Sequence, residues 1–490
     1  MSPVPPSRVR VLADRPAGRG RFVLYWMVGA RRAASSPALD HALDYARALG
    51  VGLLVFEPLR VDYPWASARV HQFVLEGMAD NARAFAAPGV TYYPYVEPQA
   101  GASRGLLDAL AAEAAVVVAD DVPGFFQARM VERVAPRLPC RVEAVDGHGL
   151  APMRSASQAF PTAYAFRRYL QGRLAEFLQY RPALTPFASP LDAPAPELPP
   201  GVAERWPAWD PSASLDGRVR ALPIDQRVAP VGDTPGGPAA ASARLERFVT
   251  RHLARYGEDR NHPDAEATSG LSPYLHFGHL SAHDVFDAVM RHEGWLGDVP
   301  RVGRGARAGW WGVSPAAEGF LDQLVTWREL GANTCVFLPD YDHFSSLPTW
   351  AQATLRAHAG DPREPQYTVE TLDAAATHDP IWNAAQRELR QDGRLHNYLR
   401  MLWGKKILQW SPSPEQALAT MVEFNNRYAL DGRDPNSYSG IFWTLGRYDR
   451  PWGPERPVFG TIRCMSSENT ARKVRLRAYL ERYAGQPGLF

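Results

Sequence analysis

The sequence is poor in cysteine and lysine and contains no long hydrophobic run. Its 490 residues include three cysteines and three lysines, so arginine supplies nearly all of the 54 basic residues. Cys140, Cys335 and Cys464 lie far apart and form no CxxC pair, which predicts neither a zinc site nor a disulfide framework and fits a reducing cytosol. The basic, proline-rich start has no apolar signal segment, and no run of about 18 apolar residues follows it. We therefore expect a cytoplasmic protein without a membrane span.

A strong net charge is also absent. The chain carries 54 basic and 52 acidic residues, a formal net charge of +2, with 22% charged and 46% hydrophobic residues. This balance excludes a uniformly basic nucleic-acid binder and a disordered acidic chain. Neither a GxGxxG nor a GxxxxGK(S/T) motif is present, so nothing indicates an ordinary dinucleotide or P-loop site.

Short apolar runs alternate with amphipathic segments through the first 150 residues. Strand-like runs stand at 21–28, 51–59, 90–98 and 116–121, and helical patterns stand between them at 36–50, 71–87 and 103–115. This alternation predicts a Rossmann-like α/β domain over 20–150, built on a doubly wound parallel sheet. Such sheets bind ligands at the carboxyl ends of their strands.

The composition and the apolar pattern of the chain change at two points after residue 150. Proline, glycine, alanine and serine are dense between 182 and 240, which predicts an interdomain linker with some helix over 151–240. From 241 to 485 the apolar residues recur at helical spacing, which predicts an all-helical C-terminal domain. The predicted fold class is thus α/β followed by α.

Hydroxyl side chains and a glycine precede one helical pattern of this second domain. The residues are Thr268, Ser269, Gly270, Leu271 and Ser272. Free N–H groups at a helix start favour phosphate, so the segment is a candidate anion site. An ordinary helix cap is the alternative interpretation.

Three tryptophans are spaced for mutual contact in the helical domain. Trp403 and Trp410 are two turns apart on one predicted helix, about 10 Å along its axis. Trp382 lies on what we expect to be a neighbouring helix. The three could pass electrons stepwise, and ordinary core packing is the alternative.

A polar cluster follows these helices. Asn425, Asn426, Asp431 and Asp434 lie within ten residues, and Arg400 is a natural partner for one of the aspartates. A buried Arg–Asp pair is costly without a purpose, which favours a cofactor site over the alternative of a surface turn.

The C-terminal end of the chain is locally basic. The last fifty residues carry nine Arg/Lys against four Asp/Glu, interleaved with Trp443, Tyr448 and Trp452. Basic and aromatic side chains together suit a phosphate backbone and a stacked base. A solvated face over core aromatics is the alternative.

Five segments occur in the order found in one enzyme family. TSGLSPYLHFG, HDPIWNAAQ, LHNYLRMLWGKKILQW, NNRYALDGRDPNSYSGIFW and ERPVFGTIRCMSSENTARK, spread over roughly 240–480, together resemble class II cyclobutane pyrimidine dimer photolyases. The resemblance implies a light-driven DNA repair enzyme with non-covalent FAD in its helical domain. In such enzymes excited, fully reduced FAD donates an electron to a pyrimidine dimer flipped out of the duplex.

The resemblance also implies roles for individual residues around the flavin. Tyr256 and the segment Thr268, Ser269, Gly270, Leu271 and Ser272 match flavin and phosphate contacts. Arg400 and Asp431 match a salt-bridged pair beside the flavin ring, Asn425 matches the amide that faces its N5, and Asp434 is expected nearby. Trp382, Trp403 and Trp410 match the electron-transfer tryptophans, with Trp403 nearest the flavin.

A further set of residues is implied for the DNA lesion. Glu329 and Trp443 match the acid and the aromatic residue that contact the dimer. Asn397 and Met401 stand where the wider superfamily places substrate contacts, and Arg463 is a candidate for filling the hole that flipping leaves. The expected partner is DNA containing pyrimidine dimers, bound by a monomer.

Several questions stay open at the sequence level. An antenna chromophore of the deazaflavin or folate type in the N-terminal domain is neither indicated nor excluded. The main alternative function is a cryptochrome-like FAD photoreceptor without repair activity. A (6-4) photolyase is a further alternative, which the class II motifs argue against. A flavin-free DNA-binding protein is another, which a flavin spectrum of the purified protein would exclude.

Overall fold

A computed structural model describes residues 3–18, 20–297 and 303–485. The chain divides into two compact units, each assembled from three segments. The first unit contains Met1–Ser157, Arg173–Arg247 and Gly270–Val299, and the second contains Gln158–Gly172, Phe248–Ser269 and Pro300–Phe490.

The first unit is built on a six-stranded sheet. Its strands are β1 (Val9–Ala13), β2 (Phe22–Trp26), β3 (Gly52–Leu59), β4 (Val90–Val96), β5 (Ala114–Asp121) and β6 (Arg141–Asp146). The strand order is β1-β6-β5-β2-β3-β4, and all neighbours are parallel except β1, which is antiparallel to β6. The predicted Rossmann-like α/β architecture is confirmed.

Both faces of this sheet are buried, as its apolar strands predict. Alternate residues of a strand point to opposite faces. On β2, Phe22 and Leu24 therefore join one apolar cluster, and Val23 and Tyr25 join another. The helices of this region are α1 (Pro37–Leu49), α2 (Ala68–Ala84), α3 (Leu106–Ala112) and α4 (Phe125–Val134).

The proline-rich stretch after residue 182 packs as part of the first unit. The Arg47 guanidinium donates to the carbonyls of Pro186 and Ser189, and Arg69 Nε donates to the Ala229 carbonyl at 2.9 Å. Side chains of the sheet domain thus satisfy carbonyls that a proline-rich backbone cannot pair in regular structure. This stretch holds one short helix, α6 (Val202–Arg205), before α7 (Pro238–Arg251) begins, and α9 (Ser272–His276) and α10 (Ala282–His292) complete the unit.

The second unit is largely helical, which confirms the predicted class of the C-terminal part. The helix α5 (Ala163–Phe177) begins in it, and a π-helical turn, Asp322–Trp327, joins α11 (Pro315–Leu321) to α12 (Arg328–Phe337). Its further helices are α8 (Tyr256–Asp259), α13 (Thr349–Ala357), α14 (Val369–Asp373), α15 (Pro380–Asp392), α16 (Asn397–Trp410), α17 (Pro414–Tyr428), α18 (Pro435–Thr444), α19 (Ser467–Lys473) and α20 (Arg477–Arg482). In the described part of the chain, no helix combines the length and apolar content that crossing a membrane requires.

Local sequence fixes where the helices of the candidate site begin. The Asp379 carboxylate caps α15 by accepting from the backbone N–H groups of Ile381 and Trp382, and Asp434 caps α18 by accepting from Asn436 N. Capping of this kind is worth about 1 kcal/mol per helix. The helices α12 and α18 approach closely at Gly331, where an added Cβ would lie 2.9 Å from the Pro435 carbonyl oxygen. A glycine is therefore required for the packing of these two helices.

Candidate functional site

A buried polar cluster connects α16, α17 and α18. Arg400, on α16, donates from Nη1 to Asn425 Oδ1 at 2.9 Å and to Ser437 Oγ at 3.3 Å. Its other terminal nitrogen, Nη2, lies 3.6 Å from Asp431 Oδ1. The structure thus brings together the arginine, asparagine and aspartate that the sequence analysis selected.

The amide groups of this cluster are held from several sides. Asn425 is 1% exposed, and its Nδ2 donates to Ser437 Oγ at 2.7 Å and to Asn426 Oδ1 at 3.2 Å. An added Cβ on Gly432 would lie 2.6 Å from the Asn425 carbonyl oxygen, so the turn that carries Asp431 requires a glycine. The cluster is therefore rigid.

Asp431 is incompletely satisfied within this network. Its Oδ1 is buried and accepts no hydrogen bond among the described residues, and the Arg400 charge at 3.6 Å is its ion-pair partner. A buried carboxylate oxygen that lacks a hydrogen bond is costly. The arrangement suits a bound group that donates an N–H at this point.

Tyr256 occupies an aromatic environment at the start of α8. Its ring makes edge contacts with Phe248 and Phe320, at centroid distances of 5.8 and 5.4 Å. The Arg260 guanidinium lies 5.5 Å from the ring centroid. Burial raises the pKa of the Tyr256 phenol, so the hydroxyl stays protonated at neutral pH.

The predicted anion segment differs from a simple helix start. The helix that follows, α9, has five residues, and Leu271 provides no side-chain cap at its start. A helix this short carries a weak dipole, so the helix-dipole argument for a phosphate site is weaker than the sequence suggested. Thr268 and Ser269 are half-buried and Ser272 is exposed.

An arginine that the sequence analysis did not select lies beside this segment. Gly270 has φ +66°, and an added Cβ there would lie 2.7 Å from Cζ of Arg244, on α7. The guanidinium therefore packs directly against the Gly270 backbone. The amphipathic pattern of 241–256 carried no signal that distinguished this arginine from its neighbours.

The three selected tryptophans form a connected set within the second unit. Trp382, Trp403 and Trp410 are each at most 1% exposed. The Trp382 indole N–H donates to the Trp403 carbonyl at 3.0 Å, and the ring centroids of Trp382 and Trp410 are 5.5 Å apart. The indole N–H of Trp403 donates to Gln386 Oε1 at 2.8 Å, which fixes the orientation of the ring. Ring contacts this close can support electron transfer as well as core packing.

The basic and aromatic C-terminal segment surrounds a buried lysine. The ring of Trp443, half-buried on α18, lies with its centroid 5.8 Å from Lys405 Nζ. The exposed Trp452 ring is flanked by the guanidinium groups of Arg450 and Arg463, at 4.9 and 5.1 Å. Positive charge and an aromatic face are therefore presented together on this surface.

The remaining candidates stand on helices of the same unit. Glu329 is buried on α12, the helix that packs against α18 and hence against the element carrying Trp443. Asn397 begins α16 and is exposed, and Met401 is half-buried one turn later. Asp434 is the buried N-cap of α18. The proposed contacts of these residues with a cofactor or DNA stay predictions.

Sequence reasoning missed Ser437 as a member of the polar cluster, and it placed Asn426 in the cluster without giving it a role. Ser437 accepts from both Arg400 and Asn425, and Asn426 accepts from the backbone N–H of Arg433 at 2.9 Å. The NN pair at 425–426 was visible, but nothing in the sequence indicated that Ser437 returns to it from α18.

Comparisons with known proteins identify relatives over nearly the whole chain. No protein-family model matches. The chain is 32% identical over 480 residues to the deoxyribodipyrimidine photo-lyase of Methanothermobacter thermautotrophicus, which covers 98% of each chain. It is 36% identical over 505 residues to the enzyme of the same name from Oryza sativa subsp. japonica, covering 98% of this chain and 91% of the relative. Among solved structures, a class III photolyase from Agrobacterium tumefaciens superposes with a TM-score of 0.67 at 17% identity, covering 95% of this chain and 87% of that one.

Proposed function

Since the chain belongs to the deoxyribodipyrimidine photo-lyases, we propose that it is a class II enzyme that splits cyclobutane pyrimidine dimers in DNA under light. The observation that carries this proposal is the full-length similarity to these enzymes, joined to the five class II motifs in their family order. A cryptochrome-like photoreceptor would be expected to lack the lesion-contacting set, and Glu329, Met401 and Trp443 are all present.

The residues of the second unit fit a flavin. The Asp431 Oδ1 that accepts no hydrogen bond among the described residues suits a ring N–H donor, and the Arg400 charge beside it suits a reduced, anionic ring. Asn425 offers an amide within the same rigid network. When bound, fully reduced FAD supplies the electron that light transfers to the dimer.

The phosphates of the cofactor need hydrogen-bond donors and positive charge. Thr268, Ser269 and Ser272 offer hydroxyls along one short segment, and we add Arg244 because its guanidinium packs against Gly270. Arginine binds phosphate through a planar fork of donors. Tyr256 contributes a protonated phenol on an aromatic wall.

The lesion-binding residues would contact the dimer and supply charge for the DNA. Trp443 offers an apolar ring for the dimer, and the Glu329 carboxyl stands on the helix packed against α18. Arg463 is exposed and lies beside the Trp452 ring. It supplies positive charge for the DNA backbone or for the gap that base flipping leaves in the duplex. Trp403, Trp382 and Trp410 form the chain along which an electron can move inward during photoactivation.

Dimer splitting by the reduced, flavin-loaded protein tests the proposal. Purified protein is mixed with an oligonucleotide containing one thymine dimer, and restored thymines are quantified after near-UV illumination. We expect restoration in the light and none in the dark. Flavin-loaded, photoreducible protein that restores nothing would support the photoreceptor alternative instead.

A further inference from the structure

A buried lysine lies beside the aromatic residue that is proposed to contact the lesion. Lys405, on α16, is 1% exposed, and its Nζ lies 5.8 Å from the centroid of the Trp443 ring. Trp443 itself is half-buried, so part of its ring stays accessible to a ligand. A cation close to an indole ring is attracted by the electrons of the ring. Lys405 therefore helps to fix where the Trp443 ring lies.

The same amine contacts the end of the helix that carries Trp443. Lys405 Nζ donates to the carbonyl of Thr444, the last residue of α18, at 2.5 Å. Carbonyls at a helix C-terminus have no partner within the helix, and positive charge is favoured there. The helices α16 and α18 approach closely enough because residue 404 is a glycine, where an added Cβ would lie 2.7 Å from Thr444 Cγ2. The amine thus joins α16 to the element that presents Trp443.

The charged groups that act on Lys405 belong to the basic and aromatic surface. Burial lowers the pKa of the Lys405 amine to about 7, Asp449 favours its protonated form, and Arg463 opposes it. The Asp449 carboxylate also accepts from the Trp452 indole N–H at 3.0 Å, and the Arg463 guanidinium lies 5.1 Å from the centroid of the same ring. Protonation of Lys405 therefore depends on side chains that DNA would meet.

The other neighbours of Lys405 add little charge at neutral pH. Cys464 is a further titratable group that acts on the amine. Burial raises the pKa of the Cys464 thiol, so this group stays uncharged. On α16 itself, the adjacent Lys406 is paired with Asp379, whose carboxylate lies 3.6 Å from the Lys406 Nζ.

We propose that Lys405 is a positioning residue for the lesion, which takes up a proton from solvent when dimer-containing DNA binds and so holds Trp443 in its binding position. The inference rests on the proposed function, in which Trp443 and Arg463 contact the DNA. A phosphate that pairs with Arg463 offsets the positive charge that opposes protonation of Lys405. The bound state therefore holds the Lys405 proton more tightly than the free state, and binding weakens as the pH rises.

Binding of a thymine-dimer oligonucleotide in the dark tests the inference. Oxidised, flavin-loaded protein is titrated at constant salt, and binding is followed by the anisotropy of a red-emitting label, so that the flavin is not excited and the dimer persists. We expect the Kd of the native protein to rise about tenfold between pH 6.5 and pH 8.5, because one proton is linked to binding. A Kd that is equal at the two pH values would overturn the inference.

Variants of the lysine separate the proton from the packing of the side chain. Lys405→Met keeps an unbranched side chain but binds no proton, so its Kd should be nearly independent of pH and close to the native value at pH 8.5. Lys405→Arg stays charged throughout this range, so its Kd should stay close to the native value at pH 6.5. The matched control is Lys406→Met, on the same helix, which should keep the tenfold rise. A tenfold rise that persists in Lys405→Met would exclude Lys405 as the linked group.

The small number of lysines allows the proton to be observed directly. The chain contains three, Lys405, Lys406 and Lys473, so lysine labelled with carbon-13 at Cε gives three signals, and the signal lost in Lys405→Met assigns the first. We expect this signal to titrate near pH 7 in the free protein and at higher pH in the complex with the dimer oligonucleotide. An identical titration midpoint in the free and bound protein would contradict the proton uptake.

The outcomes separate this inference from the proposed function. A protein that prefers dimer-containing over undamaged DNA and splits the dimer in the light, but binds it with an affinity independent of pH, contradicts the role of Lys405 and leaves the photolyase proposal standing. A flavin-loaded protein that binds dimer-containing and undamaged oligonucleotides equally contradicts the lesion-binding set of the proposed function, and the inference with it.

Discussion

Lys405 illustrates how strongly a single buried residue is affected by its surroundings. It is 1% exposed, and its Nζ donates to the Thr444 carbonyl at 2.5 Å. Burial lowers the pKa of this amine to about 7, with Asp449 favouring the charged form and Arg463 opposing it. The charge beside Trp443 is therefore weakly held at neutral pH.

Lys405→Met should change how stability depends on pH. The unfolded chain holds the proton up to the ordinary lysine pKa of 10.5, and the folded protein releases it near 7. Between these values the unfolded state binds more protons, so Lys405 makes the native free energy of unfolding rise with pH, by up to about 1.4 kcal/mol per unit. Lys405→Met lacks this contribution. In urea unfolding, the free energy of unfolding of the native protein should therefore rise relative to that of the variant between pH 7 and pH 9. Parallel pH profiles for the two proteins would contradict the lowered pKa.

Trp403 is the residue whose replacement separates photoactivation from repair. Trp403→Phe should abolish photoreduction of the oxidised flavin, because the first donor of the proposed chain is lost, and it should leave repair by chemically reduced protein near the native rate. Absorption spectroscopy during illumination measures the first effect and dimer splitting the second. Trp295→Phe, in the other unit beside Phe286, is the control and should photoreduce normally. Photoreduction that persists in Trp403→Phe would refute the path.

At the scale of elements, the π-helical turn Asp322–Trp327 stands directly before the helix that carries Glu329. Its first residue, Asp322, accepts from Arg167 Nε at 2.7 Å and from Arg167 Nη2 at 3.1 Å, in a buried bidentate pair with α5. Turns of this kind are frequent at functional sites. The ion pair anchors the turn and so helps to position the start of α12.

Arg167→Ala should therefore destabilise the protein by about 3 kcal/mol, since it removes the bidentate partner of the buried Asp322 carboxylate and leaves it facing the exposed Arg307 guanidinium at 4.0 Å. Arg173→Ala, on the same helix, removes an exposed pair with Glu176 and should cost less than about 1 kcal/mol. Chemical denaturation of both variants provides the comparison. Equal losses of stability would show that the buried pair does not anchor the turn.

The elements that the sequence predicted are those with a clear apolar period. The central strands and the helices around Trp382 and Trp403 follow their apolar patterns closely. β6 was missed because Arg141, Glu143 and Asp146 interrupt its pattern, and the buried Glu143 carboxylate is paired with His41, Tyr45 and Arg141. Such pairing across the chain is not visible in a local pattern.

The candidate site shows the same limit. Motif order was sufficient to select Arg400, Asn425 and Asp431, which the fold brings into one cluster. Ser437 and Arg244 were missed because their contacts depend on how helices pack. Asp434 was expected near the flavin, with a surface turn as the alternative, and it is the cap from which α18 begins.

At the scale of the whole molecule, the net charge does not describe how charge is distributed along the chain. The net charge of +2 conceals a basic C-terminal segment, in which exposed Arg450 and Arg463 flank Trp452. A nearly neutral protein can thus still present a surface suited to a phosphate backbone. The segment belongs to the same unit as the buried polar cluster and the tryptophan chain.

The most direct test of the account is light-dependent dimer splitting under single-turnover conditions. Reduced, flavin-loaded protein and a thymine-dimer oligonucleotide are mixed in equal amounts, and the ultraviolet absorbance of restored thymine is followed after successive near-UV flashes. We predict that the absorbance rises with each flash until the dimer is consumed, and that a dark sample stays constant. Dimers that persist after illumination of flavin-loaded protein, or that disappear equally in the dark, would contradict a photolyase.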